Sequence, residues 1–61
     1  MKKLTDDEFE AVVQALREAG FSDGKDMAVS YARSIAIPTK AHHVATNALR
    51  KYRELHPRRV M

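Results

Sequence analysis

Apolar positions recur along the chain at three- and four-residue intervals in three runs, and nowhere do they alternate with a period of two over more than a few residues. That spacing is the signature of helices with one buried face. In the first run Phe9, Val12, Val13, Leu16 and Ala19 share a face, while Glu10, Gln14, Arg17 and Glu18 fall towards water. In the second, Met27, Ala28, Tyr31, Ala32 and Ile35 form an arc that Val29 and Ala36 widen. Such breadth suits a central helix packed between two neighbours. In the third, Ala41, Val44, Ala45, Ala48, Leu49, Tyr52 and Leu55 make a continuous stripe. The predicted fold class is all-α, with helices over about 5–19, 24–36 and 39–56 in a compact three-helix bundle or an orthogonal three-helix array.

The ends of these runs carry their own signals. Thr5 and Glu8 have the spacing of a capping box, and Leu4 and Phe9 stand where a hydrophobic staple would close over it. Asp6, Asp7 and Glu8 complement the positive end of the first helix dipole. Gly20 can take a left-handed conformation and bring Phe21 back onto Leu16 in a Schellman cap. The turn Ser22-Asp23-Gly24 offers Ser22 or Asp23 as the next cap. Ile37-Pro38 is predicted to end the second helix. Thr39 can then cap the third, or Pro38 can occupy its first turn. Only two or three residues would separate these helices. Pro57 stops the third helix and leaves a short basic tail over 57–61.

Length changes the picture by limiting stability. The 61 residues make a single small domain, and a core of that size seldom supplies more than about 3–5 kcal/mol without staples. With no cysteine there is neither a disulfide nor a thiolate metal site. A homodimer sharing part of the apolar face would add burial. The opening Met1-Lys2-Lys3-Leu4-Thr5-Asp6-Asp7 meets acidic residues where a signal peptide needs an apolar run. No stretch has the roughly 20 apolar residues of a bilayer span. The expectation is a soluble, cytoplasmic protein with no membrane partner.

Charge is divided unevenly. The net charge is +3, yet residues 1–30 hold four basic against seven acidic side chains, and residues 31–61 hold seven basic against Glu54 alone. That asymmetry points to an anionic partner for the second half or to head-to-tail self-association. On the third helix His43, Thr46, Asn47 and Arg50 are spaced to share one face. Asn and Arg are side chains able to pair bidentately with adenine and guanine edges. Lys40, Lys51, Arg53, Arg58 and Arg59 would contact phosphates, which position a protein without specifying sequence.

The second helix, the joint Ala36-Ile37-Pro38-Thr39 and the third helix resemble the layout of helix-turn-helix proteins. The resemblance implies a third helix that enters the DNA major groove. On that pattern Ala32 is the small residue of the first helix, Ile35 and Ile37 bracket the turn and Ala36 replaces the usual glycine. The next buried positions would be His42 and Ala45, whereas the stripe runs through Ala41, Val44 and Ala45. The likeness covers half the chain. A second likeness is shorter: Ala19-Gly20-Phe21-Ser22 is similar to the Gly-Phe loop of ubiquitin-associated domains over four residues, in a chain whose second and third helices are longer.

Other chemistry is poorly supplied. His42 and His43 are adjacent, so on a helix they point about 100° apart, and the positions four residues on are Thr46 and Asn47. No metal site and no cofactor are expected. There is no Gly-rich phosphate loop and no Ser-His-acid arrangement, and so short a chain leaves little volume for a substrate pocket. The reading is a small non-enzymatic regulatory protein that binds DNA through its third helix and basic tail. The alternative is a protein-protein interaction module, an adaptor or inhibitor, in which Met27, Tyr31, Tyr52 and the alanine-rich stripes matter more than the arginines.

Overall fold

Thr5 adopts an extended conformation and starts α1 (Asp6–Glu18). The Glu8 N–H donates to Thr5 Oγ1 and the Thr5 N–H donates to Glu8 Oε1, each at 3.1 Å. The capping box read from the sequence is thus complete. At the other end Gly20 has φ +101°. The Phe21 N–H reaches the Leu16 carbonyl and the Gly20 N–H that of Arg17, both at 3.0 Å. These are the two bonds of a Schellman cap.

The computed structural model describes residues 4–57, with α1 followed by α2 (Gly24–Ala32) and α3 (Thr39–Leu55). Among the described residues there is no strand. The fold is an all-α three-helix bundle, and none of its helices is long and apolar enough to cross a membrane. The core joins Val12, Val13 and Leu16 of α1 to Ala28 and Tyr31 of α2 and Ala41, Ala45 and Leu49 of α3. Leu16 and Val12 are its largest fully buried side chains.

The central element is α1, not α2 as its broad apolar arc led us to expect. α1 packs extensively on both other helices, while α2 and α3 meet only sparingly. Small residues make that arrangement possible. Gly24 is buried at the start of α2, and a Cβ there would lie 3.2 Å from Leu16 Cβ, from Arg17 Cγ and from the Val13 carbonyl oxygen. On α3, Ala41 and Ala45 are fully buried, so that helix also comes close to α1.

α2 ends at Ala32, four residues short of the predicted boundary at 36. Ser34 takes φ 63°. The Ile35 N–H bonds the Ser30 carbonyl at 2.8 Å and the Ser34 N–H that of Tyr31 at 3.1 Å. This is a second Schellman cap, with serine in the place glycine holds at the end of α1. The sequence carries no sign of it, because Ile35-Ala36-Ile37 continues the apolar pattern. The physical reason for the early stop is the route of the chain. α3 packs on α1, so the connection must cross, and it uses the six residues 33–38 instead of two or three. As a result Ile35 is 53% exposed and does not join the core.

At α2 one of the two predicted caps is in place, and at α3 neither alternative holds. Asp23 holds the N-cap position of α2 without a side-chain cap bond. Pro38 is the N-cap of α3, so Thr39 is a first-turn residue and not the cap. Leu55, placed on the α3 stripe by its spacing, is 67% exposed and does not join the core.

Candidate nucleic-acid interface

α3 begins without a side-chain cap and without an acidic residue in its first turn. Its 17 residues span about 25 Å. One face is fixed by the buried series Ala41, Ala45 and Leu49. Helical geometry then sets the opposite face, and Lys40, His43, Asn47, Arg50, Lys51 and Glu54 occupy it. All six are exposed. Neither α1 nor α2 covers this face, since α3 is held almost entirely from the α1 side.

The residues assigned to nucleic acid from the sequence separate into two groups. His43, Asn47 and Arg50 share the outer face, with Lys40 and Lys51 exposed beside them. Within it Arg50 donates from Nη2 to Asn47 Oδ1 at 3.1 Å. Thr46 and Arg53 lie on a flank that turns towards the other helices. Thr46 is half-buried, and its Oγ1 lies 3.1 Å from the Tyr31 hydroxyl. Arg53 Nε donates to Glu8 Oε2 at 3.0 Å, an ion pair linking the end of α3 to the start of α1. Arg58 and Arg59 lie outside the described residues.

That flank is a polar seam the sequence reading did not find. His42 sets its ring edge-on to Tyr31, with centroids 5.5 Å apart. Thr46 and Arg53 follow further along the same side of α3, meeting Tyr31 and Glu8 in turn. Glu8 is only 3% exposed and serves both the capping box and the ion pair. A signal was present, since His42, Thr46, Leu49 and Arg53 follow helical spacing. The partners were not legible, because Glu8 and Arg53 are 45 residues apart in sequence.

Beside the seam runs a groove lined by Leu4, Tyr31, Thr46, Leu49, Arg50, Arg53 and Glu54. Its volume, about 520 Å³, exceeds what so short a chain led us to expect. The walls are mainly apolar, with two guanidinium groups and one carboxylate at the edge. Tyr52, a candidate interface anchor, is half-buried and stacks on His56 at a centroid distance of 4.5 Å. The rings of His42 and His43 stand 6.4 Å apart. Among the described residues no three His, Asp or Glu side chains come together in a way that could hold a metal ion.

No family model matches the chain, and comparison with curated proteins and solved structures found no match.

Proposed function

We propose that this chain is a small, non-enzymatic regulatory protein of the cytoplasm that binds duplex DNA through the outer face of α3. The observation that supports the reading is the placement of Lys40, His43, Asn47, Arg50 and Lys51 together on a face of α3 that neither α1 nor α2 covers. The cations Lys40, Arg50 and Lys51 supply phosphate attraction, and Asn47 and Arg50 supply groups of base-reading type. The interface is narrower than the sequence implied. Thr46 and Arg53 belong to the seam that holds α3 in place, and Arg58 and Arg59 are kept in the reading for their charge alone. The six-residue connection and the sparse α2–α3 contact favour a helix presented by α1, rather than the tight pair of a helix-turn-helix protein.

A fluorescence-anisotropy titration of a labelled duplex at about 50 and 200 mM salt tests the reading. Neutralising three phosphates implies a log–log salt slope of about −2.7, so affinity should fall roughly forty-fold between the two conditions. Absence of binding at the lower salt would overturn it.

The groove favours a second reading, docking of a protein side chain against Leu4, Tyr31 and Leu49. In that case Arg50→Glu leaves complex formation intact, while an enlarged side chain at Leu49 in a still-folded protein blocks it. A homodimer is compatible with either reading, and a light-scattering mass measures it directly.

A further inference from the structure

The carboxylates of α1 and the cations of α3 follow one spacing. On α1 the buried Val12, Val13 and Leu16 set the side turned to the other helices. Asp7, Glu10, Gln14 and Glu18 lie on the opposite side, and all four are exposed. On α3, Lys40, His43, Asn47 and Lys51 lie opposite the buried Ala41, Ala45 and Leu49, and they too are exposed. Counted from its first member, each stripe continues at three, seven and eleven residues. Each therefore runs about 16.5 Å along its helix axis.

Laid parallel in register, the stripes pair Asp7 with Lys40, Glu10 with His43, Gln14 with Asn47 and Glu18 with Lys51. Opposite charges meet at both ends, and the two amides between them can each donate and accept. Glu54, the carboxylate of the α3 outer face, falls past the end of α1 in this register. Arg17 would fall opposite Arg50, but its stem lies beside Gly24 of α2, where a Cβ would be 3.2 Å from Arg17 Cγ. Among the described residues none of Asp7, Glu10, Glu18, Lys40 and Lys51 forms an ion pair. Inside one chain the stripes cannot meet, because each faces away from the core between α1 and α3. For the same reason a symmetric pair of copies cannot join both stripes at once. Pairing α1 of one copy with α3 of the next leaves a stripe open at either end, which is a heterologous and open association.

We propose that the chain self-associates head to tail, the acidic α1 stripe of one copy docking in parallel on the basic α3 stripe of the next. This does not depend on DNA binding, although a docked copy covers the same α3 face. Contacts between exposed charges are weak singly and are screened by salt, so the assembly belongs to high protein concentration and low ionic strength. The test is sedimentation equilibrium of the full chain at up to about 1 mM protein, in about 10 mM and about 1 M salt, where the screening length is roughly 30 and 3 Å. At the lower salt the average mass should climb past two copies as concentration rises, and at the higher salt it should return to that of the monomer. Lys40→Glu with Lys51→Glu should weaken association about tenfold. Lys25→Glu with Arg33→Glu, exposed cations off the stripe and the same change in net charge, should not. Mixing the Lys40→Glu, Lys51→Glu chain with a Glu10→Lys, Glu18→Lys chain should restore association, because their stripes complement each other again. Circular dichroism checks that each variant is folded, and the salt dependence of the wild-type chain stands without them. A monomer mass at about 10 mM salt, a mass that stops at two copies, or equal losses in the two charge-matched variants would overturn the proposal.

Discussion

Ser34 is the residue at which local preference and structure disagree. Its φ of 63° lies in the left-handed region that L-residues other than asparagine and aspartate seldom visit, and its side chain makes no hydrogen bond among the described residues that would offset the cost. Glycine fits that position without strain, so Ser34→Gly is expected to stabilise the fold by about 1 kcal/mol and raise Tm by roughly 4–8 °C. Thermal denaturation followed by circular dichroism checks it, and a lower Tm would mean that the α2 cap is formed differently. Gly24 presents the opposite case. Alanine is normally the better helix former, but here its Cβ would press on the Val13 carbonyl and the Leu16 Cβ at 3.2 Å, atoms fixed inside α1. Gly24→Ala is therefore expected to destabilise by about 1–2 kcal/mol in spite of propensity. Urea unfolding of the variant gives the sign.

At the scale of elements, α3 is held by α1 below and by the seam at its side. Arg53→Ala would remove one charged hydrogen bond from the Glu8 carboxylate, which is 3% exposed. Because the Arg53 side chain is half exposed, water can enter in its place, and the expected loss is about 1–2 kcal/mol, less than for a fully buried pair. The same variant should change the DNA salt slope little, which separates a seam residue from a phosphate contact. Glu54 sits among the cations of the outer face and opposes phosphate. Glu54→Gln is expected to tighten duplex binding several-fold at low salt, and the gain should shrink as salt rises.

These elements also show how much could be read from the chain alone. The start and stop of α1 were legible because Thr5, Glu8, Gly20 and Phe21 act within a few residues of one another. The end of α2 was not. A serine in a left-handed turn has no sequence signature, and Ile35 and Ala36 extend the apolar period past the true boundary. The outer face of α3 followed from spacing alone, since His43, Asn47 and Arg50 are fixed by helical geometry. The loss of Thr46 and Arg53 from that face depended on Tyr31 and Glu8, partners whose positions only the packing of α1 and α2 determines.

For the whole molecule, the helix that organises the fold is not the one that carries the charge. α1 supplies Val12 and Leu16 to the centre and touches both neighbours, which frees α3 to expose a full face. With stability of only about 3–5 kcal/mol expected for so small a core, Leu16→Ala, at about 2–5 kcal/mol, should leave the chain largely unfolded at 25 °C. The molecule is electrically two-sided as well. Asp6, Asp7, Glu10 and Glu18 are exposed on α1, while Lys40, Arg50 and Lys51 are exposed on α3. An anionic duplex would thus be attracted to one side and repelled from the other, which orients the approach. The measurement closest to this claim is the salt dependence of duplex affinity for the wild-type chain and for the double variant Arg50→Gln, Lys51→Gln. Removing two phosphate contacts should reduce the magnitude of the log–log slope by about two and weaken binding at low salt. A slope and affinity unchanged by the double substitution would contradict the assignment of the α3 outer face as the DNA-binding surface.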